Sequence, residues 1–225
     1  MSEAANNFDP LAYTAQDFAN ELDVSRETYE AFAAWEALLV KWNRTINLVS
    51  PSALSGFWLR HALDSWQVAA LLPSAEDAPN VSCLDLGSGA GFPGLAVAIA
   101  CKARGAGQVT LVESAGKKAN FLRTVIRELD LPATVWADRA EKLTPKPYDI
   151  ITARAFARMP RLLTYAQPFW GKGTKAVLLK GQNMQAELTE AQKCWSFEHD
   201  NRQSRSDPQG AVVVITGLKA TRPAR

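Results

Sequence analysis

Between Cys83 and Gly94 the chain reads Cys-Leu-Asp-Leu-Gly-Ser-Gly-Ala-Gly-Phe-Pro-Gly. A short apolar run, Val81 to Leu86, stops at three alternating glycines, Gly87, Gly89 and Gly91, and an apolar helical stretch, Leu95 to Cys101, follows. A strand that turns on glycines into a helix is the opening unit of a parallel α/β sheet. The glycines permit left-handed backbone and a close approach by a ligand, and the start of the helix aims N–H groups at that ligand. A dinucleotide site wants G-x-G-x-x-G. Here the third glycine comes one residue early, giving G-x-G-x-G, with Asp85 two residues ahead of it. The bland alternative is a structural strand-to-helix turn, so the rest of the chain has to decide.

The texture on either side of this turn differs. From Ala12 to Leu72 the pattern is helical: Phe32, Trp35, Leu38, Leu39 and Trp42 mark one apolar face, and Phe57 to Leu72 reads as a second amphipathic helix. Pro73 to Pro79 is a linker, which predicts a helical segment over 1–75 and an α/β domain over 76–225. Within that domain strands are expected at Val81–Leu86, Gln108–Glu113, Thr134–Ala137, Tyr148–Thr152, Lys175–Lys180 and Ala211–Gly217, the last paired with a weaker one near Phe197–Gln203. Helices are expected at Leu95–Cys101, Lys117–Leu129, Leu162–Trp170 and Met184–Trp195. The alternation implies a doubly wound parallel sheet with right-handed crossovers.

Several polar residues fall where such a sheet holds its ligand. Asp85 could serve a ligand ammonium. Glu113 closes the second strand, 24 residues after Gly89, where an acid accepts ribose hydroxyls; the alternative is a solvated strand-end carboxylate. The turn after the third strand, Ala137 to Glu141, would border a purine ring, although Asp138 and Glu141 could equally be helix caps. Arg154 ends the fourth strand and could bind phosphate, stack on a base or neutralise a carboxylate, or simply form a surface ion pair. Ahead of the linker, Arg60 and Asp64 are spaced as a helical pair, and His61, Asp64 and Ser65 share a face. A polar network fixing that helix on the sheet is at least as good a reading as substrate contact.

Composition narrows the classes further. The first residues carry no basic and apolar leader pattern, and no apolar run is long enough to span a bilayer, so the expectation is a cytoplasmic protein without a membrane. Three cysteines without a Cys-x-x-Cys pair and only two histidines argue against disulfides and against a metal site. Up to Ala75 the chain holds 4 Lys/Arg and 9 Asp/Glu; beyond it, 21 and 14. The basic remainder fits a polyanionic partner, with ordinary solvated surface the even alternative.

The G-x-G-x-G turn with its preceding acid resembles the cofactor loop of class I methyltransferases. The same order of motifs is similar throughout to one family, ribosomal RNA small subunit methyltransferase G, also called glucose-inhibited division protein B. The residues that carry the likeness are Trp42-Asn43 with Asn47-Leu48 and Ser50, Arg60-His61 with Asp64-Ser65, and Asp85 with Gly87 to Gly94. Beyond these come Glu113-Ser114 with Lys117-Lys118 and Phe121-Leu122, then Ala153-Arg154-Ala155 and Leu179-Lys180-Gly181. They span about Ala33 to Gly181.

The resemblance implies a class I, Rossmann-like, doubly wound α/β fold with a helical N-terminal extension. It implies S-adenosylmethionine as cofactor and methylation of N7 of guanine 527, in the 530 loop of 16S ribosomal RNA or of a small-subunit precursor. It implies cofactor contacts at Gly87, Phe92, Ala140, Glu141 and Arg154, to which the reading of the turn and the second strand adds Asp85, Gly89, Gly91 and Glu113; Arg154 is expected to position rather than transfer protons. RNA contacts are expected at Arg60, His61, Lys117, Lys118, Arg123 and Lys180, in a monomer. Glu113 stands where many relatives have Asp, and Lys118 where Arg is frequent. N7 carries its own lone pair, so no general base is expected, and neither an Asn/Asp-Pro-Pro-aromatic run nor a cysteine follows the fourth strand. Competing readings are a methyltransferase of another RNA, a protein or a small molecule, a non-enzymatic RNA-binding module, and a dehydrogenase.

Overall fold

The opening helices form where the sequence supplies caps. In the computed structural model, which describes residues 12–221, Thr14 Oγ1 accepts from the Asp17 N–H while the Asp17 carboxylate accepts from Thr14 N. This reciprocal pair starts α1 (Ala15–Leu22). Ser25 caps α2 (Arg26–Asn43) through the Thr28 N–H. Phe32, Trp35 and Leu39 of α2 lie on one face and are wholly buried. Asn43 closes the helix: its Oδ1 accepts from Leu48 N and Val49 N, and its Nδ2 donates to the Val49 carbonyl. Ser50 then caps the short α3 (Pro51–Ser55).

The second amphipathic stretch is not one regular helix. A π-helical turn, Trp58–Leu63, runs into α4 (Asp64–Ala69). An inserted wide turn re-aims side chains relative to regular 3.6-residue spacing. It buries Trp58, Leu59, His61, Ala62 and Leu63 together, which no single α-helical face would do.

The α/β alternation follows the expected order. β1 (Ser82–Leu86) leads to α5 (Gly94–Ala103), β2 (Gln108–Val112) to α6 (Gly116–Glu128), and β3 (Ala133–Trp136) to a 3-10 turn, Ala140–Lys142. β4 (Ile150–Arg154) is followed by α7 (Met159–Ala166), and β5 (Lys175–Lys180) by α8 (Met184–Ala191). β6 (Trp195–Gln203) and β7 (Ala211–Ala220) end the described chain. The seven strands pair in the order β3-β2-β1-β4-β5-β7-β6. The first five are parallel, while β7 runs antiparallel to both β5 and β6.

Alternate strand residues feed two apolar layers, as a pleated strand requires. Cys83, Ile150, Val177, Leu179 and Val212 join α1, α2, α4, α5 and α6 on one face. Leu84, Leu86, Ile151, Leu178 and Val213 join α7 and α8 on the other. Each fully buried Leu or Phe contributes about 1.5–3 kcal/mol relative to an exposed one. Phe18, Phe32 and Trp35 share their cluster with Phe92 and Leu95, so the opening helices pack directly on the glycine-rich turn.

Candidate functional site

The strand order reverses between β1 and β4, and open α/β sheets bind ligands at the carboxyl end of that switch point. A cavity of about 440 Å³ opens there. Gly87, Gly89, Phe92, Glu113, Lys118, Ala140, Glu141 and Arg154 all line it. Gly87, Gly89 and Gly91 have φ of +72°, +57° and +102°, backbone that a side chain would strain. A Cβ at Gly87 would overlap Phe156, and one at Gly91 would overlap Leu95. Gly91 is not in the wall; it lets the turn lie against α5 and Trp35.

Glu113 is 9% exposed and holds the turn from beneath. Its Oε2 accepts from Gly89 N at 2.9 Å and its Oε1 from Ala115 N at 2.7 Å. Each carboxylate oxygen keeps a second lone pair. Across the cavity, Ala140 is buried at the start of the 3-10 turn. The N–H groups of Ala140 and Glu141 meet no acceptor among the described residues.

Asp85 lies behind this wall rather than in it. It is fully buried; Oδ1 accepts from Thr152 Oγ1 at 2.7 Å, and Oδ2 has no partner among the described residues. Burial pushes its carboxyl up to about 6, against the hydrogen bonds, Thr152's among them, that favour the charged form.

Arg154 is the meeting point of the site. Nη1 donates to the Arg60 carbonyl at 2.8 Å and to Asp64 Oδ2 at 2.9 Å, and Nη2 donates to His61 Nδ1 at 2.7 Å. Its guanidinium lies 4.8 Å from the centre of the Phe92 ring. Guanidinium has only donors, so His61 Nδ1 is the acceptor and Nε2 carries the hydrogen. His61 stacks on Phe92 with ring centres 4.2 Å apart. Burial, then the Arg154 charge, pulls its imidazole down to about 3. A polar network does fix this helix on the sheet, and Asp64 extends it: Ser206 Oγ, in the β6–β7 loop, donates to Asp64 Oδ1 at 2.6 Å. Gln67 Oε1 accepts from Arg205 N in the same loop.

A second cavity, about 660 Å³, lies on the far side of Arg154 and Ala155, which line both. Arg60, His61, Asp64, Lys180, Glu187 and Ser206 form its walls. Ala155 has φ +51°, a left-handed conformation that costs a non-glycine residue about 1–2 kcal/mol. Lys117 and Arg123 are exposed on α6 and line neither cavity. Glu187, Ser206, Gln67 and Phe156 were not singled out from the sequence. Each meets its partner over a long sequence separation or through a loop, and no local pattern marks such contacts.

A family profile described as rRNA small subunit methyltransferase G (GidB) matches residues 28–209. The chain belongs to this family. The match runs from α2 to the loop that carries Ser206, so it takes in the whole first cavity and all of the second except Gly210. Ribosomal RNA small subunit methyltransferase G of Rhodospirillum rubrum is 46% identical over 202 residues, covering 90% of this chain and 96% of the relative. The protein of the same name from Caulobacter vibrioides is 44% identical over 193 residues, covering 86% and 87%. Among solved structures, magnesium protoporphyrin IX methyltransferase from Synechocystis with bound S-adenosylmethionine superposes with a TM-score of 0.58 at 10% identity. It covers 85% of this chain and 97% of that one, a likeness of fold. Membership makes the chain an S-adenosylmethionine-dependent methyltransferase of small-subunit ribosomal RNA. No helix among the described residues is long and apolar enough to cross a membrane.

Proposed function

We propose that this chain methylates N7 of guanine 527 in the 530 loop of 16S ribosomal RNA, with S-adenosylmethionine in the first cavity and the target base in the second. The observation that carries the reading is the shared wall. Arg154 and Ala155 border both cavities at the end of β4, so ligands in the two cavities meet there. Their volumes lie in the range usual for small-ligand sites.

The first cavity fits a nucleoside joined to an amino acid. Bound there, S-adenosylmethionine supplies an electrophilic methyl group. Glu113 offers lone pairs to the ribose hydroxyls, the unpartnered N–H groups of Ala140 and Glu141 face the adenine edge, and the Gly87–Gly91 backbone accepts close approach. Arg154 takes the carboxylate end. Asp85 acts from behind, tied to β4 through Thr152 and biasing the field toward the ammonium.

The acceptor atom requires no proton removal. His61, the nearest titratable side chain to Arg154, is neutral at pH 7 and presents no lone pair at Nε2. The residues therefore work by orientation and by excluding water. Exposed Lys117 and Arg123, with Lys118 at the rim, are positioned to neutralise RNA phosphates on one side of the opening.

The direct test is product mapping. Small-subunit particles lacking this modification are incubated with the protein and labelled cofactor, and the labelled nucleotide is identified. A single 7-methylguanine in the 530 loop is expected. Label at another position, or on an amino or ribose group, would sink the reading.

A further inference from the structure

The proposed function puts a base near Arg154 but leaves open what tells guanine from adenine. The second cavity contains a carboxylate set up for that task. Glu187, on α8, is 14% exposed at its side chain, and it lines this cavity. Its Oε2 is fully engaged: Lys180 Nζ donates to it at 2.7 Å and Met159 N at 2.8 Å. Lys180 also donates to the Ala157 carbonyl at 3.0 Å. The carboxylate is thus clamped to the end of β5 and to the turn after β4. Its Oε1 has no hydrogen-bond partner among the described residues. By contrast, Asp64 in the same cavity has both oxygens occupied, by Arg154 and Ser206.

A mostly enclosed acceptor with one oxygen held and one spare suits a ligand that brings N–H donors. Guanine does so on its Watson–Crick edge, through N1–H and the exocyclic amine. Adenine brings a lone pair at N1, which a carboxylate repels. An enzyme acting on a base inside RNA must take it out of the stack, and then reads that edge in its pocket. With N1–H and the amine toward Glu187, the adjoining Hoogsteen edge, which carries N7, is left to face the Arg154–Ala155 wall and the first cavity.

We propose that Glu187 is a specificity-determining residue that reads the extruded base as guanine, its Oε1 accepting the N1–H while Lys180 and the Met159 N–H fix the other oxygen. This rests on the assignment of the target base to the second cavity.

The test compares RNA substrates that differ in the target base alone, using wild type and Glu187→Gln. The amide keeps an oxygen for Lys180 and turns an N–H₂ toward the base. Methylation of the guanine substrate should fall about tenfold or more, and the adenine-to-guanine rate ratio should rise by at least as much. Cofactor affinity should be unchanged. Rates that fall in proportion, leaving the ratio unmoved, would show a structural role and overturn the proposal.

Should Glu187→Gln unfold, wild type alone decides. On RNA carrying 2-aminopurine, which keeps N7 and the amine but lacks N1–H and O6, the rate should drop at least tenfold, while inosine, which keeps N1–H and O6, should retain most of it; an undiminished rate on 2-aminopurine overturns the proposal. Product identity in wild type separates the two layers. A product other than 7-methylguanine overturns the functional reading and this one with it. 7-Methylguanine with an unmoved base ratio overturns the role of Glu187 alone.

Discussion

Arg154 Nη1 lies 2.9 Å from Asp64 Oδ2, joining the end of the fourth strand to a helix 90 residues earlier, with the two side chains only 21% and 15% exposed. The ion pair holds the guanidinium over the Phe92 ring, 4.8 Å from its centre, at the boundary of both cavities. Removing one member of an enclosed pair leaves the other charge uncompensated. Asp64→Ala should lower stability by about 2–3 kcal/mol, below the 3–5 kcal/mol of a fully buried pair because water reaches this one. Urea unfolding measures it. A loss under 0.5 kcal/mol would mean that the pair is solvated.

Glu113 accepts a main-chain N–H on each oxygen. Glu113→Gln places an amide N–H₂ against one of those donors and removes the charge. Cofactor affinity should weaken by about 1.5–3 kcal/mol, roughly ten- to a hundredfold. Titration calorimetry with S-adenosylmethionine reads this directly. Undiminished affinity with the fold intact would remove Glu113 from the ligand site.

Gly91 combines a left-handed φ with a Cβ position already filled by Leu95 and close to Trp35. Gly91→Ala should therefore destabilise by about 2–4 kcal/mol, overpacking and backbone strain adding together. Gly105 has φ +66° but nothing within 4 Å of its Cβ position, so Gly105→Ala should bring the strain alone, about 1–2 kcal/mol. Thermal melts of the pair should rank them in that order. The reverse order would show that Leu95 repacks without penalty.

His61 gives a pH signature. Its folded value, about 3, lies below the ordinary 6.5, so its stabilising contribution is complete above 6.5 and is lost as pH falls toward 3. Asp85, raised to about 6 from 3.8, works in the opposite sense: the folded state binds the extra proton between those values. The two partly cancel in wild type between pH 4 and 6. His61→Gln removes one side of that balance. Between pH 7 and 5, wild type should lose about 2 kcal/mol relative to the variant. Equal losses would place the His61 imidazole in contact with water.

The strands, their order in the chain and the site's glycine turn were legible because each is written locally, as apolar alternation broken by glycine. The helix boundaries near Trp58 were not. A π turn and an amphipathic α-helix share an apolar composition, and the wide turn goes with burial of five neighbouring residues, packed beside α1. Glu113 was legible from its place at a strand end. Its main-chain partners were not, since the bond to Gly89 depends on how the turn folds back. Glu187 and Ser206 left no local trace at all: one is an ordinary helix glutamate, the other a loop serine, until Lys180 and Asp64 arrive beside them.

The sheet order also sets a schedule for assembly. β7 lies between β5 and β6, so β6 has no neighbour to bond with until β7 has left the ribosome. The loop joining them delivers Ser206 to Asp64 across 142 residues of sequence. Chains fold as they emerge, first-made portions first. The strands and glycine turn of the first cavity are thus made well before Ser206 reaches Asp64. A nascent chain arrested ahead of Ala211 would hold every residue of the first cavity, while β6 still lacked the strand it pairs with and the Ser206 loop lacked its second anchor.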